Sequence, residues 1–157
     1  MGYINTQGEY TIEPKFSDGG DFREGFANVR LDGKWGYLDR AGRMVIAPQF
    51  EQASPFSGGY ALIMLNKRFG YIDRSGTIVI QPQFDSAGSF SEGLAPVRQG
   101  LTNGYINTDG KLVVPVEADE YDDFSGGIAQ VSVKYKINYM KIGYIDTKGR
   151  YVWRPRV

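Results

Sequence analysis

Apolar residues along this chain come in short runs, and the runs return at a fixed distance. The dipeptide Gly-Tyr stands at Gly2, Gly36, Gly70, Gly104 and Gly143, with three spacings of 34 residues and a last one of 39. Two residues past each tyrosine lies Asn5, Asp39, Asp73, Asn107 or Asp146. Three further on comes Gly8, Gly42, Gly76, Gly110 or Gly149. An apolar run such as Met44-Val45-Ile46 or Ile78-Val79-Ile80 follows, then Pro14, Pro48 or Pro82, then Phe16, Phe50 or Phe84. A second phenylalanine (Phe22, Phe56, Phe90, Phe124) precedes a closing Gly-apolar-Ala-x-Val/Ile, from Gly25 to Val29 in the first copy. Self-similarity at this period marks a chain built from one repeated supersecondary unit.

Each recurring residue predicts an element. Asp/Asn-x-x-Gly is a turn signature, because the side-chain oxygen caps a turn N–H and glycine accepts positive φ. It predicts a β-hairpin, bulged at the glycine, between the Tyr-Ile-Asp strand and the next apolar run. Proline lacks the ladder N–H, so Pro14, Pro48 and Pro82 are expected to end that second strand. The Phe-containing stretch reads as a loop or short irregular strand folded onto the core. Ala-x-Val begins a third strand, which turns at Asp32-Gly33 and pairs with Lys34-Trp35-Gly36-Tyr37. No segment carries a capped i, i+3, i+4, i+7 pattern, so no long helix is predicted.

The fold class expected is all-β, with three short strands and one packed loop per unit. The units run 2–35, 36–69, 70–103 and 104–142, with a partial one at 143–157, in a single repeat domain over residues 1–157. Five copies of the hairpin against four of the Phe-to-Val segment favour an open, twisted stack over the alternative, a small β-propeller. Met1 occupies the position of Trp35, so the chain is expected to start inside a motif of a longer array.

Composition narrows the chemistry. Lys+Arg and Asp+Glu both number 18, so no global field draws nucleic acid or an acidic surface. Histidine and cysteine are absent, which removes the commonest general base and thiolate metal sites. No run of roughly 18 apolar residues is present, so no membrane insertion is expected. Ser57, Ser91 and Ser125 have no histidine to activate them. No phosphate-cradling motif occurs, no cofactor is expected, and the chain reads as non-enzymatic.

Lys34-Trp35-Gly36-Tyr37-Leu38-Asp39, with Gly42, Val45-Ile46, Pro48-Gln49-Phe50 and then Phe90-Ser91-Glu92-Gly93-Leu94-Ala95, resembles the WG (KWG) β-repeat family. The resemblance spans essentially the whole chain. It implies a β-rich repeat of mostly bacterial occurrence, found in long arrays, and implies little about activity. The sequence departs from the family in its tryptophan, since Phe69, Asn103 and Ile142 fill the position of Trp35.

The candidate sites cluster in the fourth unit, where the pattern breaks. Pro115 sits one position early and Ala118 replaces the phenylalanine. Glu117, Asp119, Glu120, Asp122 and Asp123 follow without an intervening base. Such a loop suits a basic partner, or Ca²⁺ if oxygens converge, or it is a solvated acidic loop. An extension, Lys134-Tyr135-Lys136-Ile137-Asn138-Tyr139-Met140-Lys141-Ile142, lengthens the last hairpin. Its lysines and Tyr135 and Tyr139 offer a surface for an anionic polymer, or pair with the neighbouring acids, or simply snorkel. Trp35 is an additional binding candidate. Trp153 is expected to cap the final core edge, or else to serve as an interface aromatic. The recurring tyrosines are expected in the core, and Asp39, Asp73 and Asp146 as turn caps, because Asn5 and Asn107 share their slot.

A protein partner is therefore the first expectation and a glycan the second, with nucleic acid set aside. A small hydrolase using Asp122 or Asp123 ranks third.

Overall fold

The computed structural model describes residues 1–136 and 139–154, except for the side chains of Tyr135, Lys136 and Tyr139. Contacts divide the chain into a unit ending at Pro82 and a unit beginning at Gln83, and each is described by itself.

The first unit opens with a two-stranded antiparallel hairpin, β1 (Tyr3–Ile4) and β2 (Tyr10–Ile12). A four-stranded sheet follows, ordered β3 (Asp18–Gly19), β4 (Phe26–Leu31), β5 (Lys34–Asp39), β6 (Met44–Phe50). The next sheet repeats it with β7 (Gln52–Ala53), β8 (Tyr60–Leu65), β9 (Arg68–Asp73) and β10 (Ile78–Phe84). In the second unit come β11 (Ser86–Ala87), β12 (Ala95–Gln99), β13 (Thr102–Ile106) and β14 (Leu112–Pro115). The last sheet is β15 (Glu120–Tyr121), β16 (Ile128–Lys136), β17 (Tyr139–Asp146) and β18 (Tyr151–Trp153). Strands neighbour one another in chain order, so every link is a local hairpin or a short connection.

The predicted turns are present in all five copies. Asn5, Asp39, Asp73, Asn107 and Asp146 each accept two backbone N–H groups through Oδ1, from residues two and four positions on. Gly42 and its equivalents take φ near +80°, as at Gly76 (+84°), a region that penalises any Cβ. The bulge falls just past the glycine, in β6: Tyr37 pairs with Ile46 and Leu38 with Met44, so Val45 is left unopposed.

Two expectations are corrected. The unit has four strands, because the Phe-containing stretch supplies a two-residue strand such as Gln52–Ala53 that pairs with Met64 and Ile63. Proline follows the end of the second hairpin strand in the first copy, where β2 stops at Ile12 before Pro14, but not in the next two: β6 runs through Pro48 to Phe50, and β10 through Pro82 to Phe84. Both are edge strands, where a missing N–H on the solvent side costs no ladder bond.

The glycine of Gly-Tyr is required by close approach. A Cβ on Gly36 would lie 2.5 Å from the Ile46 carbonyl oxygen and 2.7 Å from the Pro48 nitrogen, and Gly2 meets Ile12 and Pro14 in the same way. The register shift between Trp35 and Tyr37 is the bulge that brings these backbones together.

The core lies between successive sheets. Tyr37, Ile46 and Phe50 from one sheet pack with Phe56, Ala61, Ile63 and Ile72 of the next. In the second unit Tyr105, Val114 and Leu94 meet Phe124, Ala129, Val131 and Ile145. A two-residue-thick sheet has no interior of its own, so each copy buries its apolar face only against a neighbour.

Trp153 holds the slot of Ile46 and Val114, facing Tyr144 in register with the ring centroids 6.4 Å apart, and is 52% exposed. Ile46 and Val114 are covered by the turn glycines Gly76 and Gly149 of the following hairpins, and among the described residues no such turn follows β18.

Candidate functional site

The five recurring tyrosines are packing residues. Tyr37, Tyr71 and Tyr105 are fully buried. The Tyr37 hydroxyl donates to the Ser54 carbonyl at 2.7 Å, and Tyr3 donates to Gly20 at 2.8 Å. Burial pushes the Tyr37 hydroxyl well above the ordinary phenol range, so it acts only as a donor.

The site with distinctive chemistry lies in the second unit. The β12–β13 hairpin places Arg98 directly opposite Asn103. The same cross-strand position is Arg30–Trp35 in the first sheet and Met64–Phe69 in the second. Replacing the large ring by Asn103 opens a cavity of about 340 Å³, lined by Ser86, Pro96, Arg98, Asn103, Glu120 and Tyr121 among others. The Asn103 Nδ2 reaches the Ala118 carbonyl at 3.5 Å, whereas its Oδ1 is closed off from solvent and has no hydrogen-bond partner among the described residues. The equivalent inter-sheet space beside Trp35 is smaller, about 250 Å³, and is lined by Ala53, Leu62, Ile63 and Phe69.

The acidic segment is divided among roles. Asp119 lines the cavity, and its Oδ2 accepts the Lys134 backbone N–H at 2.7 Å. It repeats a structural device: Glu51 accepts Asn66 and Lys67 N–H groups, and Asp85 accepts Gly100 N–H at 2.6 Å. Sequence reading missed this cap, although the signal was there: Ser17, Glu51, Asp85 and Asp119 each follow the Phe16 slot directly. Glu120 is exposed at the cavity wall. Tyr121 turns its ring inward, 5.5 Å from Tyr105 and against the cluster holding Ala118, so it refills part of the volume the missing phenylalanine leaves. Its hydroxyl donates to Val97 at 2.6 Å.

Asp122 and Asp123 lie on the exposed side of the same connection. The Asp122 carbonyl accepts the Tyr105 hydroxyl at 2.5 Å. Burial, and secondarily the Asp122 charge, push the Asp123 carboxyl above the usual aspartate range. Glu117 stands apart, in a separate cavity of about 290 Å³ with Pro115, Ile145 and Tyr151. Among the described residues no group of three or more acids converges as a metal cage.

The basic extension forms the longest hairpin, β16 with β17. Lys134 is exposed and Lys141 half-buried. The side chains of Tyr135, Lys136 and Tyr139 lie outside the described ones, as do Ile137 and Asn138. Trp35 is half-buried, packing on the Tyr37 core while also lining the space of about 250 Å³.

No curated protein matches the chain. The family described as WG containing repeat matches residues 1–35, 35–68, 69–100 and 104–136. These segments are offset from the hydrogen-bonded sheets: residues 35–68 hold the last two strands of one sheet and the first two of the next, and supply the buried Tyr37 core apart from Ile72. The sequence repeat thus straddles the sheet. With four matches spread across the repeats described above, the chain belongs to the WG-containing repeat family.

Proposed function

We propose that this chain is a non-enzymatic repeat module that binds a protein partner through the acidic face of its fourth repeat. The observation that carries the reading is a contrast of exposure. Tyr37, Tyr71 and Tyr105 are buried and Tyr3 and Tyr144 half-buried, whereas Glu120 at the Asn103 cavity and Asp122 and Asp123 on the connection that follows are exposed. Such a rigid surface supplies charge and shape without a general base or an activated nucleophile. Among the described residues no cation offsets the partly desolvated Asp123 beside Asp122, and a basic segment of a partner would supply one.

Carbohydrate binding is the second reading, and it is favoured by one place. Tyr151 and Trp153 alternate on edge strand β18 with 37% and 52% exposure, so both rings point to one side.

The test is capture from lysate with and without soluble wall polysaccharide. A protein retained despite the sugar, and lost from a Glu120→Gln/Asp122→Asn/Asp123→Asn variant, supports the first reading. Retention abolished by the sugar, or glycan bound with a change in Trp153 fluorescence, replaces it with the second.

A further inference from the structure

The Asn103 cavity differs from its repeat equivalents in chemistry as well as size. In the first unit the corresponding space is walled by Trp35, Leu62, Ile63 and Phe69, and its polar side chains, Gln52 and Ser54, are both uncharged. Beside Asn103 the walls carry an amide, two carboxylates, a guanidinium and the hydroxyls of Ser86 and Tyr121, with Pro96 and the Tyr121 ring as flat apolar faces. A volume of about 340 Å³ sits at the lower end of ligand-site sizes, so it suits a side chain or a small ion-bearing group.

The free valences are acceptors. The Nδ2 of Asn103 is turned to the Ala118 carbonyl, which fixes the amide orientation and leaves the buried Oδ1 as an unused acceptor. Asp119 accepts the Lys134 amide, and a carboxylate has further lone pairs beyond that one bond. Glu120 adds a second carboxylate. The Tyr121 hydroxyl is already donating to Val97, so from that residue the cavity receives chiefly the ring. Against these, Arg98 is the one cation among the lining residues. Acceptors outnumber donors, and a buried acceptor without a donor is costly.

We infer that this cavity receives a guanidinium group, presented as an arginine side chain by the protein partner. A guanidinium carries five donors in a planar fork, which serves an amide oxygen and a carboxylate together and stacks on an aromatic or prolyl face. An ammonium lacks both the plane and the fork. The inference rests on the fourth repeat being an interaction surface, and its test is separate from that of the surface.

The experiment is a titration of the ¹⁵N-labelled chain with N-acetyl-arginine amide, and in parallel with N-acetyl-citrulline amide, its uncharged isostere. Saturable shifts are expected at the Asn103 side-chain amide and at the backbone amides of Ser86, Ala87 and Gly88. Citrulline should bind about tenfold more weakly or worse. Asn103→Phe installs the residue type of Phe69 and should abolish the shifts, and Glu120→Gln should weaken them while leaving the rest of the spectrum in place. No saturation at Asn103, or equal binding of arginine and citrulline, overturns the proposal. A captured partner whose affinity is untouched by Asn103→Phe also overturns it, while the interaction reading stands.

Discussion

The hydroxyl of Tyr105 donates to the carbonyl oxygen of Asp122, 17 residues further on, across the space between two sheets. Tyr37 does the same with Ser54, and Tyr3 with Gly20, at the same separation. One buried ring therefore fills the core of its copy, and its polar end fixes where the connection to the next copy passes. In the fourth repeat that connection carries the acids, so the Tyr105 bond positions the candidate surface.

Removing that hydroxyl leaves a buried carbonyl short of its donor. Tyr105→Phe is expected to cost about 1–2 kcal/mol. Urea denaturation should show a lower midpoint with an unchanged slope. An unaltered midpoint would mean that the bond contributes nothing net.

Two glycines of one hairpin separate the two reasons for glycine. Gly33 takes φ +80° with open space around a built Cβ, so Gly33→Ala should cost about 1 kcal/mol of backbone strain. Gly36 has ordinary φ, but a Cβ there meets backbone at 2.5 Å, and the strands must part to admit it. Gly36→Ala should therefore cost about 3 kcal/mol or more, in line with other severe packing defects. Equal losses for the two would contradict the close-approach account.

The sequence made the hairpins and the buried tyrosines legible because local chemistry decides them. Asp39 and Asn5 reveal the cap by sharing a slot, and Gly42 reveals the left-handed turn. The two-residue strand Gln52–Ala53 was not legible, since two residues carry no period and its pairing with Ile63 and Met64 is set by the core beneath. Pro48 misled for a related reason: the residue says that an N–H is missing, and only the sheet order says that none was needed. At the site, the break at Ala118 was visible, as were the acids. That Asp119 is a cap, and that Asn103 opens a cavity by losing a ring, required the neighbouring copies to be superposed in space.

Glu24 links one copy to the next. Its carboxylate accepts the Gly59 N–H at 3.1 Å and pairs with Arg74 at 2.7 Å. The Arg74 hydrogen bond is the main cause of a carboxyl held below the usual glutamate range, with the Gly59 amide adding to it. A depressed folded-state value means the folded chain binds fewer protons than the unfolded one. The contribution is thus complete above the ordinary glutamate range and is lost as pH falls through the folded value. Glu24→Gln should lower the urea midpoint at neutral pH, and the gap from the parent should close on acidification. A gap of constant size would contradict the linkage.

Asp123 runs the opposite way. Its raised value means the folded state prefers the protonated acid, so stability declines as pH rises from the unfolded value through the folded one. Asp123→Asn should raise the midpoint at neutral pH and make little difference in acid. A lower midpoint at neutral pH would show that the carboxylate is compensated in the free protein.

The Asp123 result gives the fourth repeat its expected character: an acid kept at some cost to stability, where a partner's cation would relieve it. The most direct measurement is the affinity of the captured protein for the parent chain and for the Glu120→Gln/Asp122→Asn/Asp123→Asn variant, at low and at raised salt. A loss of about tenfold or more in the variant, with the parent's salt dependence flattened, is the predicted result. Identical affinity and identical salt dependence in the two chains would contradict it.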